Sequence, residues 1–161
     1  MKLCNAEIIK KIKALEEQKR EILLNEQKNC CTSYQTEADL IDTAYDFAQT
    51  RKNVRSLNKE IMELKHALNV SNSTVVVEDF GLTIGECLIY MAQLNNEKDV
   101  QEQLSHYQHK SRRSLHNGAV EYTIANYDIE SCKKELNATK ETIQKLQLAI
   151  DRVNLNNMIE I

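Results

Sequence analysis

The segment Ile129–Asn157, IESCKKELNATKETIQKLQLAIDRVNLNN, decides the fold of this chain. Within it, one set of residues recurs at alternating steps of three and four: Ile129, Cys132, Leu136, Thr139, Ile143, Leu146, Ile150, Val153 and Asn157. A repeat of about 3.5 residues places such a set along one side of a helix that packs lengthwise against other helices. The segment therefore predicts a long helix with a coiled-coil seam.

The same spacing occurs twice more, nearer the amino end. One further seam runs through Leu40, Thr43, Phe47, Thr50, Val54, Leu57, Ile61, Leu64 and Leu68, and a shorter one through Ile8, Ile12, Leu15 and Ile22. The chain contains no proline and only three glycines, so little in it interrupts a helical backbone. The sequence predicts a mainly α protein: an antiparallel long-helix coiled-coil bundle of helices 1, 2 and 4, with one or two short β-strands.

Local signals set the expected helix boundaries. Thr36 with Asp39, and Thr83 with Glu86, match the pattern in which a hydroxyl and an acidic side chain cap a helix start. Asp128 is placed to cap the last helix. The prediction is a single domain over residues 1–161, with helices at about 3–27, 37–68, 83–110 and 129–156.

Two short strands are predicted, at about residues 74–78 and 119–125. The first contains three consecutive valines, and the second alternates apolar and polar side chains, which indicates a half-buried strand. Three pairings are open. The two strands pair with each other, or residues 113–116 pair with 119–122 across the Asn117-Gly118 turn, or a strand pairs with a neighbouring subunit.

Composition and charge argue against two classes of partner. The formal net charge of -3 disfavours a dedicated nucleic-acid binder, which needs clustered positive charge. The longest uncharged apolar run, residues 87–92, is far shorter than the roughly 20 residues that a membrane span requires. Lys2, Lys10 and Lys11 leave no room for the apolar core of a signal peptide at the amino end. We expect a cytoplasmic protein without membrane contact.

The five cysteines show no CxxC spacing, so they indicate neither a disulfide framework nor a zinc module. Cys132 occupies a seam position and Cys87 lies in an apolar helical stretch, which predicts that both are small core residues. The adjacent Cys30 and Cys31 fall in a predicted loop, where an oxidisable pair is an alternative to two inert thiols. Their redox state is left open.

The region 102–116 contains the candidate site residues. Glu102, His106 and His109 are spaced to share one face of a helix, and such a ligand set suits zinc or another divalent metal. The competing interpretation is a solvated polar end of the helix. A di-iron bundle is disfavoured, because Glu63 and His66 form the sole Glu-x-x-His pair in the sequence and flank the seam on its outer side.

The same region carries a short basic cluster. Lys110, Arg112 and Arg113 lie close together in the sequence, with His116 following, and are candidates for binding phosphate or another anion. A run of charges is also typical of a solvated face. No phosphate-binding loop, nucleophile elbow or paired catalytic carboxylate motif is present, so the sequence indicates no catalytic residue and no cofactor.

Several motifs together resemble the septicolysin-like bacterial proteins, an uncharacterised family of small helical proteins. The segments that carry the resemblance are Leu68-Asn69-x-x-Asn72, Gly81-x-Thr83-Ile84-Gly85-Glu86-Cys87-Leu88, Tyr122-Thr123-x-x-x-Tyr127-Asp128-Ile129 and Asn157-Met158-Ile159-Glu160-Ile161. Family members usually have Asp-Ala-Leu where this chain has Glu86-Cys87-Leu88, and a tryptophan where it has Met158. The resemblance spans the chain and implies no catalytic residue, while the family name implies a cytolysin.

The sequence favours a non-catalytic, self-assembling or scaffold protein over an enzyme. The seams interrupted by threonine and the additional apolar surface of helix 3 predict a closed homo-oligomer, because symmetric assembly commonly buries such surface. The alternative is a metal- or anion-binding protein or an enzyme that uses residues 102–116. Lysis ranks behind both, since the sequence lacks an amphipathic apolar helix suited to enter a bilayer.

Overall fold

A computed structural model describes residues 2–40 and 43–160. Its elements in chain order are β1 (Lys2–Cys4), α1 (Asn5–Asn29), α2 (Phe47–Thr74), β2 (Val76–Val77), β3 (Leu82–Thr83), α3 (Ile84–Ser105), β4 (Lys110–Ser114), β5 (Val120–Ile124), α4 (Ile129–Asn156) and β6 (Met158–Glu160). The strands form antiparallel pairs, β1 with β6, β2 with β3 and β4 with β5. The prediction of a mainly helical protein is confirmed, but the described residues form six short strands where one or two were predicted.

The last helix matches its prediction at both ends. The Asp128 carboxylate accepts hydrogen bonds from the Glu130 backbone N–H at 3.1 Å and the Ser131 hydroxyl at 2.6 Å, so it caps the first turn. These bonds hold the pKa of Asp128 below its usual value. Every seam position from Ile129 to Asn157 is buried or half-buried. The 3-4 spacing therefore identified the covered side of α4.

The prediction for the second helix was wrong at both ends. Thr36 and Asp39 do bond to each other, at 2.6 Å, but they close only one 3-10 turn at Glu37–Asp39. The helix begins at Phe47, where the Asp46 carboxylate accepts a hydrogen bond from the Gln49 N–H at 3.0 Å. Residues 41 and 42, which the predicted range includes, lie outside the described residues. A local capping pattern alone thus did not start a long helix.

At its carboxyl end, α2 continues to Thr74 rather than stopping near Leu68. The turn-forming residues 69–73 remain helical, with the Ser73 and Thr74 hydroxyls donating to the Val70 carbonyl at 2.9 and 2.8 Å. Ser71 is buried on this added turn and continues the seam three residues beyond Leu68. Tertiary packing of that side of the helix therefore overrides the low helix propensity of the sequence.

The remaining boundaries differ by smaller amounts. α1 covers 5–29 instead of 3–27, because residues 2–4 pair with β6. α3 ends at Ser105 instead of 110, because residue 110 already begins β4. Its start was predicted to within one residue. The Thr83 hydroxyl accepts from the Glu86 N–H at 3.2 Å, and the Glu86 carboxylate accepts from the Thr83 N–H at 2.7 Å. The bond from the Thr83 N–H and a second from the Thr83 hydroxyl to the same carboxylate lower the pKa of Glu86.

Only one of the predicted strands pairs by one of the open alternatives, and its partner is residues 110–114 rather than 113–116, with the register shifted by one residue. The strand predicted at 119–125 is β5, and it pairs with β4 across the Asn117-Gly118 turn, with Arg112 opposite Tyr122. The strand predicted at 74–78 is reduced to β2, which pairs with β3 rather than with β5. Gly81, at φ 64, makes the turn between β2 and β3. β1, β3 and β6 were not predicted.

The described chain divides into two compact units, and the prediction of a single domain stays a prediction. Unit 1 comprises Met1–Thr74 and Asn154–Ile161. In it, α1 and α2 run antiparallel, since Asn5 contacts Ser71 at one end and Glu26 pairs with Arg51 at the other. The core of unit 1 consists of Ile8, Ile12 and Leu64, packed by Leu3, Leu15, Leu68 and Ile159.

Unit 2 comprises Val75–Val153. Its core joins β2, α3 and α4 through Val77, Ile84, Cys87, Leu94, Leu146, Ala149 and Ile150. At the other end of the helix pair, the Cys132 thiol lies 3.5 Å from the Gln101 carbonyl oxygen, so α3 and α4 are antiparallel. This helix pair holds β4 and β5 between the end of α3 and the start of α4.

Candidate functional site

The first of the three predicted metal ligands, Glu102, lies on the last turn of α3. The Glu102 carboxylate lies 2.8 Å from the Lys140 ammonium of α4. The hydrogen bond from Lys140 is the main reason that the pKa of Glu102 falls below its usual value. Glu102 is therefore ionised and engaged within unit 2.

The two histidines of the predicted ligand set lie further along the chain, at and beyond the end of α3. His106 caps the end of α3, and its ring Nδ1 lies 2.5 Å from the Glu102 carbonyl oxygen rather than from the carboxylate. His109 lies beyond the helix end, in the exposed segment that leads into β4. Among the residues that the structure describes, no three His, Cys, Asp or Glu side chains are grouped to hold a metal ion. Glu102, His106 and His109 are thus not brought together as a ligand set.

The predicted anion-binding residues lie on β4. Facing pairs in the β4–β5 ladder share a side of the sheet, and successive residues alternate sides. Lys110 and Arg112 therefore share one face, opposite Ile124 and Tyr122, whereas Arg113 lies on the other face, opposite Glu121. The three cations are divided between two faces and do not converge on one anion.

The feature that unites this region is its exposure. Residues 106–124, which include both strands and the turn between them, are all exposed. We call residues 110–124 the ribbon. One of its faces carries Val120, Tyr122 and Ile124, which are 39%, 56% and 55% exposed. The prediction that β5 is half-buried was therefore wrong, because neither face of the ribbon is covered in the described chain.

The exposed face of the ribbon mixes apolar and cationic groups. The Lys110 ammonium lies 4.9 Å from the centre of the Tyr122 ring, within the range of a cation–π contact. Arg112 is the cross-strand partner of Tyr122 on the same face. The face is therefore an apolar stripe bordered by positive charge.

The base of the ribbon is anchored to the helix pair. The Tyr127 hydroxyl donates to the Leu104 carbonyl at 2.7 Å, and the Ala125 N–H donates to the His109 carbonyl at 3.0 Å. Burial is the main cause that raises the pKa of Tyr127. An open cavity of about 760 Å³ lies beside this base and is lined in part by Tyr107 and Lys133. The Tyr127–Leu104 bond therefore fixes where the ribbon leaves the α3–α4 pair.

The cysteines fall largely where the sequence placed them. Cys87 is buried in the core of unit 2, Cys132 is half-buried, and Cys30 and Cys31 are exposed. Desolvation by neighbouring atoms and a hydrogen bond with Cys31 raise the pKa of Cys30 above its usual value, which favours the protonated and less nucleophilic thiol. The buried Cys4 was not predicted, because its burial depends on the pairing of β1 with β6.

A known crystal structure is similar in fold to this chain. The chain is similar to the crystal structure of a functionally unknown conserved protein from Corynebacterium diphtheriae, with a TM-score of 0.75 and 16% sequence identity over 99% of this chain and 100% of that one. No protein-family model and no curated protein matches the sequence. Among the described residues, no helix is both long and apolar enough to span a membrane. At this identity the similarity shows the fold alone.

Proposed function

We propose that this chain is a non-catalytic protein that assembles with copies of itself and acts as a scaffold. The observation that carries the proposal is the ribbon, an ordered pair of strands whose apolar face of Val120, Tyr122 and Ile124 is exposed. An apolar surface bordered by polar and charged groups is typical of a protein–protein contact. Closed symmetric homo-oligomers are the commonest soluble assemblies, so a second copy is the expected partner.

The coiled-coil bundle belongs to the same proposal. Its support is the continuous covered seam of α4 and the antiparallel packing of α1 on α2. Long helices that pack along seams give stiff helix pairs, and a stiff helix pair suits a protein whose role is to hold a contact surface in place.

We favour self-assembly over a metal- or anion-binding role of residues 102–116 on two observations. The Glu102 carboxylate is already paired with Lys140, so a metal would have to displace that ammonium. Lys110 and Arg113 lie on opposite faces of the ribbon, so an anion on one face meets only part of the positive charge. Both arrangements weaken the alternative ligand sites relative to the apolar contact face.

Membership of the septicolysin-like bacterial family and a cytoplasmic location complete the proposal. The family resemblance is supported by the structural roles of its motifs, since Thr83 and Glu86 form a reciprocal cap and Asp128 caps α4. Ile161, at the end of the last motif, lies outside the described residues. Five cysteines whose spacing indicates no disulfide framework suit a reducing compartment, where thiols stay free.

The assembly is tested by measuring the mass of the purified chain in solution. We expect sedimentation equilibrium across the micromolar range to give a whole-number multiple of the 18.6 kDa chain mass, because the exposed ribbon gains stability when a second copy covers it. A mass of one chain throughout that range contradicts the proposal. Repeating the measurement after treatment with a thiol reductant separates non-covalent assembly from disulfides through Cys30 or Cys31.

A further inference from the structure

The ribbon presents two outer strand edges. It is a two-stranded sheet in the order β4-β5, and no third strand pairs with it among the described residues. A two-stranded ribbon is marginally stable in water on its own, and three or more strands give independent stability. An outer edge also offers a row of backbone donors and acceptors to another strand. The ribbon is therefore suited to sheet extension.

Charge distinguishes the two edges. β4 carries Lys110, Arg112 and Arg113 within five residues, and cationic side chains are a common means of protecting a strand edge from pairing. β5 reads Val-Glu-Tyr-Thr-Ile, in which four of five residues favour strands and only Glu121 is charged. Two copies of β4 would bring six cations together. β5 is consequently the edge that is open to pairing.

The hydrogen bonds of the ribbon show which backbone groups of β5 point outward. The Leu115 N–H bonds to the Ala119 carbonyl at 2.9 Å, and the Ala125 N–H bonds to the His109 carbonyl at 3.0 Å. Antiparallel ladders alternate between bonded and non-bonded pairs. The odd-numbered residues of β5 therefore bond to β4. Val120, Tyr122 and Ile124 direct their backbone N–H and C=O groups to the outer edge.

This pattern is self-complementary about one residue. If two β5 strands run antiparallel with Tyr122 opposite Tyr122 of the partner subunit, Val120 faces Ile124 of the partner subunit. Glu121 then faces Thr123 of the partner subunit, so no two like charges are directly opposite. All outward N–H and C=O groups of both strands find partners in this register. A shift by one residue would place inward-directed groups at the shared edge and lose those bonds.

We propose that a second copy of this chain docks along the outer edge of β5, in the register centred on Tyr122, to give a four-stranded sheet in the order β4-β5-β5-β4. The inference rests on the proposed self-assembly and names its surface. A twofold axis at Tyr122 makes the contact isologous, so it closes at two copies. The apolar stripes of both ribbons become contiguous on one face of this sheet, with positive charge at its two outer edges.

The test exploits the fact that, in this register, residue 122 faces its own copy. Tyr122→Lys places two ammonium groups directly opposite, and Tyr122→Glu places two carboxylates there. We expect each variant alone to raise the dimer dissociation constant at least about tenfold, because like charges directly opposite destabilise a strand pair. An equimolar mixture of the two variants should restore dimers, because the ammonium then faces a carboxylate. Sedimentation velocity measures the dimer dissociation constant of each variant alone and of the mixture.

Matched controls test whether a charge must lie at the β5 edge, rather than elsewhere on the ribbon, to weaken the dimer. Ser111→Lys and Ser111→Glu place the same charges on exposed β4, away from the proposed edge, and should leave the wild-type dissociation constant unchanged. Helical circular dichroism checks that each chain is folded. If either variant at position 122 unfolds, Val120→Lys mixed with Ile124→Glu supplies a second complementary pair, since these positions face each other across the same axis.

The outcomes distinguish this inference from the proposed function. Dimers that dissociate in the single variants and return in the mixture support the edge and its register. Dimers that persist in both single variants overturn the inference and leave self-assembly standing on another surface. Loss of dimers without recovery in the mixture overturns the register. A monomeric wild-type chain overturns the inference together with the proposed function, and a strand from a different protein is then the partner to seek.

Discussion

Leu146→Ala should lower the free energy of unfolding by about 2–5 kcal/mol, because truncation removes buried methyl groups and leaves a cavity. Leu146 is 0% exposed and lies in the core of unit 2, between α3 and α4. Leu148, two residues further along the same helix, is 60% exposed. Chemical denaturation followed by helical circular dichroism measures both substitutions under the same conditions.

The matched control is Leu148→Ala, which removes the same atoms from the uncovered side of α4. We expect a change within about 0.5 kcal/mol, as is usual for exposed positions. Equal losses of stability for the two variants would contradict the seam assignment, because the 3-4 spacing would then not distinguish the covered side of the helix. A larger loss for Leu148→Ala would show that another surface covers that side.

Asn5→Leu should lower the free energy of unfolding by about 1–3 kcal/mol, because it removes hydrogen bonds from a buried polar cluster. Asn5 is 0% exposed at the start of α1. Its amide N–H₂ donates to the Asn154 side-chain oxygen at 3.1 Å, and its side-chain oxygen accepts from the Ser71 hydroxyl at 3.0 Å and the Asn157 amide at 3.3 Å. Leucine has a similar volume but satisfies none of these partners.

Asn58→Leu provides the comparison, since Asn58 is exposed in the middle of α2. It should change stability by no more than about 0.5 kcal/mol. Thermal and urea unfolding of both variants give the two free energies. Unfolding of Asn5→Leu that matches the wild-type chain would mean that the cluster contributes shape but little free energy, and the polar contacts would not explain why α2 extends to Thr74.

The seam of α4 could be predicted because its information is local and repeated. The set from Ile129 to Asn157 identified both ends and the covered side of α4, even though Thr139 and Asn157 are polar. Asn157 is half-buried and donates to Ser71 at 2.9 Å, so a polar residue at the end of the seam marks a buried polar contact rather than an exposed position. In α4 the periodicity therefore reports burial irrespective of polarity, whereas the second predicted seam fails at its start, where Leu40 and Phe47 are 53% and 64% exposed.

The errors lie where distant residues decide the outcome. β1 pairs with β6 across nearly the whole chain length, with Leu3 opposite Ile159, and no local pattern specifies such a pair. The extension of α2 depends on contacts of Ser71 with Asn5 and Asn157, which come from other elements. The Thr36–Asp39 bond formed as the sequence indicated, but without a covered seam behind it the helix did not follow.

The candidate site could be located but not interpreted from sequence. Asn117 and Gly118 identified the hairpin turn, and the alternation in β5 identified the strand. Alternation normally indicates one covered face, yet Tyr122 and Ile124 are exposed. The spacing of Glu102 and His106 described a shared helix face correctly in principle, but the helix ends there and the carboxylate turns to Lys140. Exposure and ion pairing depend on the tertiary structure, so local sequence patterns do not specify them.

Residue-resolved amide hydrogen exchange along β5 tests the central claim most directly, since self-assembly through this edge changes the protection of alternate residues. Glu121 and Thr123 should be protected at every concentration, because their N–H groups bond to β4. We expect Val120, Tyr122 and Ile124 to gain protection at concentrations where dimers form and to lose it on dilution. Protection that stays confined to Glu121 and Thr123 while the chain is dimeric would contradict the account.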